Sequence, residues 1–168
     1  ASTFNALVAQ ADTGGLVQAD VTTDVGVLTL DGDAENSSTT DDHNRIALSG
    51  ARTLTAKGQM TLDSTSGGIV RSGTATLTLK AEAGILLNDD FSGVVTGQAL
   101  HINADSNGSG SGTFTIASGK ELSSTNGVLS VTAADIAVTG TMTSGTAVTN
   151  LHTTNQRTIG LGTDTEDM

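Results

Sequence analysis

The chain has 168 residues and a formal net charge of −11, from 18 Asp plus Glu against 7 Lys plus Arg. It contains no Cys, Pro, Trp or Tyr, and its aromatic residues are Phe4, Phe91 and Phe114. These counts exclude a disulfide framework and a thiolate metal site, and they speak against nucleic acid as a partner, since scattered basic residues cannot neutralise a phosphate backbone and aromatic stacking platforms are scarce.

No apolar run is long enough to span a membrane as a helix. Leu, Ile, Val and Phe make up 38 of the 168 residues. That is close to the level at which a highly charged chain stays unfolded. Here the apolar residues are strongly patterned and proline is absent, which argues for a folded chain.

In chain order, residues 1–11 read as a short helix or an edge strand. They lack the basic start of a signal peptide, and the chain does not begin with Met. We therefore expect a processed product or an excised piece. Short runs of alternating apolar and Thr, Ser or small residues follow. They are Val27–Leu30, Met60–Leu62, Thr76–Leu79, Leu100–Ile102, Thr113–Ile116, Leu129–Val131, Ile136–Val138 and Ile159–Leu161. Period-2 alternation of this kind predicts half-buried strands. Gly26, Gly58, Gly84, Gly112, Gly127 and Gly140 stand beside these runs and suit tight corners.

The runs also match one another at a distance. Leu28-Thr-Leu-Asp-Gly-Asp33 resembles Leu100-His-Ile-Asn-Ala-Asp105, Ile46–Leu54 resembles Phe114–Leu122, and Gly58–Leu62 resembles Gly127–Val131. The offsets predict a degenerate super-repeat of roughly 70 residues. We expect residues 1–25 to form an N-terminal cap or edge segment and residues 26–168 to form a β-solenoid. An antiparallel sandwich is the competing fold, but its usual buried Trp or Tyr anchors are missing. A parallel β-helix, with short strands stacked around a narrow aliphatic core, fits better. Interior proline would break its ladders. Parallel crossovers are overwhelmingly right-handed, so a right-handed coil is expected.

With these residues in view, the chain resembles the β-helical repeat regions of filamentous-haemagglutinin-like adhesins, which are very large secreted bacterial surface proteins. The recurring Gly-x-Leu-x-Leu/Val runs carry the resemblance. So do the unit Leu129-Ser-Val-Thr-Ala-Ala-Asp-Ile-Ala-Val-Thr-Gly-Thr141 and the segment Arg157-Thr-Ile-Gly-Leu-Gly-Thr-Asp164. The resemblance implies a right-handed parallel β-helix, secretion, and a structural or adhesive role at the cell surface.

Chemistry is sparse. Asp31, Asp33 and Glu35, with Asp42 beyond them, and Asn103, Asp105 and Asn107 show the 1-3-5 spacing of oxygen donors seen in calcium loops. The twelfth position, where a bidentate Glu belongs, is Asp42 in the first loop and Phe114 in the second. Turn formation by Asp and Asn is the competing explanation. Calcium is the one cofactor these loops suggest.

Asp89, Asp90, Asp105 and Asp135 would make a carboxylate constellation only if neighbouring coils brought them together. The basic residues are dispersed, and no enzyme is expected. His43, His101 and His152 are far apart in sequence, and His101, between two apolar residues, should point to solvent. Thr53-x-Thr55, Thr76-x-Thr78, Thr113-x-Thr115 and Thr139-x-Thr141 resemble the ranks of ice-binding solenoids, although their spacing is irregular. Asn36-Ser-Ser and Asn107-Gly-Ser fit a glycosylation triplet that arises easily by chance.

The expected function is a structural or adhesive extracellular stalk or filament shaft at a bacterial cell surface, with a self-assembling filament subunit or an ice-binding solenoid as the alternatives. The expected partners are other copies or repeats stacked end to end, and a host-cell, cell-surface or matrix ligand.

Overall fold

The computed structural model describes residues 1–36, 43–157 and 159. The chain winds into coils with one short strand on each of three faces, here called A, B and C. The first coil comprises β1 (Ser2–Phe4), β2 (Leu7–Gln10) and β3 (Gly15–Val17). The second comprises β4 (Val21–Thr23), β5 (Leu28–Asp31) and β6 (Ile46–Ser49). The third has β7 (Arg52–Ala56), β8 (Met60–Asp63) and β9 (Ile69–Ser72). The fourth has β10 (Leu77–Ala81), β11 (Ile85–Leu87) and β12 (Phe91–Gly93). The fifth has β13 (Leu100–Asn103), β14 (Thr113–Ile116) and β15 (Glu121–Ser123). The sixth has β16 (Leu129–Ala133), β17 (Asp135–Val138) and β18 (Thr141–Thr143). β19 (Thr149–Thr153) adds a strand to face A, and a short 3-10 turn, Thr154–Gln156, follows it.

Among the described residues, face A holds seven strands in the order β1-β4-β7-β10-β13-β16-β19. Faces B and C hold six each, β2 to β17 and β3 to β18. All pairings are parallel, between strands three apart in the chain. This is a three-sided parallel β-solenoid, as the short alternating runs predict.

Register follows the alternation. Inward residues stack on inward residues: Val21, Leu54, Leu79, Ile102, Val131 and Leu151 form one column on face A. On face B the column is Leu7, Leu28, Met60, Ile85, Phe114 and Ile136. On face C it is Gly15, Ile46, Ile69, Phe91, Leu122 and Met142. The middle of each column is fully buried. Each such Leu or Ile contributes roughly 1.5–3 kcal/mol by leaving water.

The predicted runs from Val27 to Val138 all overlap strands. Gly160 and Leu161 of the last run lie outside the described residues. Residues 1–11 form two edge strands rather than a helix, because β4 and β5 offer them open ladders. Coil lengths vary with the corners: Val21 pairs with Leu54, whereas Val131 pairs with Leu151. The segments matched by the 70-residue offset stand on different faces. Leu28–Leu30 lies on face B and Leu100–Ile102 on face A, while Ile46 lies on face C and Phe114 on face B. An offset of eight strands is two coils and two thirds of a third, so the matches share strand and corner type but not position.

Candidate functional site

The acidic loops lie in different corners. Asp31 ends β5 and Asp33 lies in the corner from face B to face C. Asn103 ends β13, and Asp105 and Asn107 lie in the corner from face A to face B, three coils further on. Both loops use one local device. The Asp31 carboxylate accepts the Asp33 backbone N–H at 3.0 Å, and the Asn103 side chain accepts the Asp105 N–H at 3.2 Å. These are Asx turns, which sharpen both corners, the first around Gly32 and the second around Ala104.

Asp33 and Asp105 are both buried, while Glu35 and Asn107 are exposed. Asp42 lies outside the described residues. Asp105 is fully engaged. Its Oδ1 accepts the Ser109 N–H and hydroxyl at 3.1 and 3.0 Å, and its Oδ2 accepts the Gly110 N–H at 2.9 Å and the Thr154 hydroxyl. Burial alone would raise its pKa, but the bonds from Thr154, Gly110 and Ser109 outweigh burial and hold the carboxyl below its ordinary range. Asn107 accepts the Ser109 N–H and donates to Glu82 at 3.1 Å.

Asp33 differs. Its Oδ2 accepts the Ser66 N–H and hydroxyl at 3.0 and 2.6 Å, but its buried Oδ1 has no hydrogen-bond partner among the described residues. Asp31 stacks in register on Asp63, and these carboxylates take amide hydrogen bonds from Gln10 and Asn88 respectively. Among the described residues, no three His, Asp or Glu side chains are placed to share a metal ion.

The four carboxylates considered for catalysis divide between two corners. Asp89 and Asp90 lie between faces B and C; Asp105 lies between A and B, and Asp135 opens β17 on face B, just past the A–B corner of the next coil. Asp89 is buried and accepts a hydrogen bond from the Lys120 ammonium. That bond raises the Lys120 pKa; burial opposes it, and the charges of Asp89, Asp90 and Asp63 add to it.

His101 is exposed, as its place between two apolar residues predicts. His101 and His152 both face outward on A, two strands apart and in different columns, while His43 lies in the second coil's B–C corner. The four Thr-x-Thr pairs scatter over the three faces: Thr53–Thr55 and Thr76–Thr78 lie at face A, Thr113–Thr115 on face B, and Thr141 on face C. They do not form one rank.

The sequence reading missed Arg71. It occupies an inward position on face C, between Leu48 and Gly93 in register, and is 1% exposed. Its guanidinium donates to the carbonyls of Gln98 (2.8 Å), Ala99 (2.9 Å) and Ser124 (3.3 Å). It thus ties the third coil to the turns that close the fourth and fifth. Burial lowers its pKa. Gly93 makes the space, since a Cβ there would sit 3.0 Å from the guanidinium.

The first coil is the most distinctive surface. Its ten strand residues, Ser-Thr-Phe, Leu-Val-Ala-Gln and Gly-Leu-Val, carry no charge. Among the described residues, nothing pairs with their lower edge. Val8 and Leu16 are about 60% exposed, and Phe4 is also exposed. At the B–C corner a cavity of about 150 Å³ opens toward the core between Ala9, Gly15, Leu16, Leu30 and Ile46. It opens because the first coil places Ala9 and Gly15 where the second has Leu30 and Ile46.

No family model matches the chain, nor does any curated protein or solved structure.

Proposed function

We propose that the chain is a shaft segment of a secreted bacterial surface protein, of the filamentous-haemagglutinin-like kind that its repeats resemble. Its coils wind right-handed, the hand that parallel crossovers adopt almost without exception. The observation that carries this reading is the in-register ladder on face A, seven strands long, backed by hydrophobic columns through the described coils. A stack of this kind transmits load through backbone hydrogen bonds and extends by adding coils. Its product is reach and stiffness, and it requires no reacting group. A host-cell or matrix ligand, where one exists, would meet the outward Thr, Ser and Asn columns or the corner loops. The acidic surface keeps neighbouring shafts apart in solution.

Antibodies raised against the folded chain test the reading. On intact cells of the organism that makes the protein they should label the surface. Labelling only after lysis would overturn it.

A further inference from the structure

We propose that residues 154–157, which follow β19, form a strap that latches the A–B corner loop of the fifth coil, residues 104–112, and that strap and loop open together while the stacked strands stay closed. The inference does not depend on the shaft reading.

Three observations lead to it. The first is reach. β19 pairs with β16, and β16 with β13, so the strap starts two strands beyond the loop it touches. The Thr154 hydroxyl donates to Asp105 Oδ2, the Asn155 amide to the Gly108 carbonyl at 3.0 Å, and the Arg157 guanidinium to the Gly110 carbonyl at 2.8 Å. The way across the sixth coil is open because Ala134 alone separates β16 from β17, whereas residues 104–112 separate β13 from β14.

The second is what the strap closes. The loop folds around Asp105, which accepts the Ser109 N–H and hydroxyl on Oδ1 and the Gly110 N–H on Oδ2. Thr154 is the donor to that carboxylate from outside the loop. Loop and strap share Asp105 Oδ2 and both backbone polar groups of Gly110, so losing one set of bonds weakens the other. The Thr153 hydroxyl donates to the Arg157 carbonyl at 2.6 Å, which closes the strap on its own base and lets it move as one piece.

The third is balance. Asn155 (φ 56°) and Gln156 (φ 57°) both hold the left-handed conformation that residues other than Gly avoid. Two in succession persist only where surrounding contacts over-determine them. The strap reads Thr-Asn-Gln-Arg and offers no apolar side chain to the core, and Asn155, Gln156 and Arg157 are exposed. Hydrogen bonds near solvent are thus set against backbone strain, which places the docked and released forms close in free energy. A segment so poised opens well before the buried ladders do. Release takes the outside donor from Asp105 and frees the corner loop, whose residues 106–109 are exposed.

Amide hydrogen exchange of the whole chain, read by NMR at Ser109 and Gly110, tests this. Thr154→Val and Arg157→Ala each remove one strap bond and should speed exchange at both amides about fivefold or more, with β10 and β13 unchanged. Gln156→Gly keeps all four strap bonds and relieves the left-handed strain, so it should slow exchange at the same two amides. Unchanged exchange at Ser109 and Gly110 in the first two variants would overturn the proposal. So would an increase shared equally by β10 and β13, which would make the strap part of the cooperative core. A Gln156→Gly chain whose loop exchanges as fast as the parent's would overturn it as well.

Discussion

Arg71 shows how one side chain can be worth more than its column position. The core at that level is otherwise aliphatic, and a guanidinium there costs desolvation. Three backbone carbonyls offset that cost because the planar fork reaches them together. Arg71→Lys should therefore destabilise the fold more than Arg71→Met: the ammonium stays buried but cannot span the three acceptors, whereas Met removes the charge. Chemical denaturation should show a difference of about 1–3 kcal/mol between the two. The reverse order would mean that the charge itself stabilises the fold.

Asp105 gives a pH dependence whose sign follows from its hydrogen bonds. Its pKa is lower folded than unfolded. The stability it contributes is thus complete above the ordinary Asp value of about 4 and is lost as pH falls through the lower folded value. Asp105→Asn should cost about 1–2 kcal/mol near neutrality. The Tm gap to the parent chain should narrow as pH falls below about 4. Since the carboxylate is saturated by the chain's own donors, that cost should be equal in chelator and in added calcium. A cost that appears only with calcium would identify the loop as a metal site.

At the scale of the element, three to five residues suffice for a strand because each coil supplies the next with a ready edge. Thr78 lies mid-strand in β10, between β7 and β13, with its side chain outward. Thr78→Pro should cost about 3 kcal/mol or more, read from the unfolding midpoint, by removing a ladder hydrogen bond at no packing change. A neutral result would mean that the face A ladder is broken there. Corners impose their own limits. Gly112 leads into β14 with its Cα against the carbonyl of Ala104, where a Cβ would sit 1.9 Å away. That close approach is the physical reason for glycine beside the predicted run. By contrast, β3, β4, β9, β11, β12, β18 and β19 fall outside every predicted run and matched segment. Gly15–Val17 and Phe91–Gly93 are three residues long and include glycine, too short for alternation to register. Ile69–Ser72 breaks the apolar pattern by placing Arg71 inward.

At the scale of the molecule, each coil touches mainly its neighbours, so stability should grade along the axis. Hydrogen exchange should be slowest in β7, β10 and β13 and fastest in β1, β2 and β3, whose edge has no described partner. Uniform protection would mean that the coils open together as one cooperative unit. What the sequence determined by itself was local: alternation dictates strands, Asx and Gly residues dictate corners, and aliphatic inward positions without proline dictate stacking. These depend on neighbours within a few residues. Only the tertiary structure decided which face each strand occupies, since corner lengths set the phase and vary freely at the surface. That phase separates Asp33 from Asp105, scatters the Thr pairs over three faces and carries Arg71 to carbonyls up to 53 residues away.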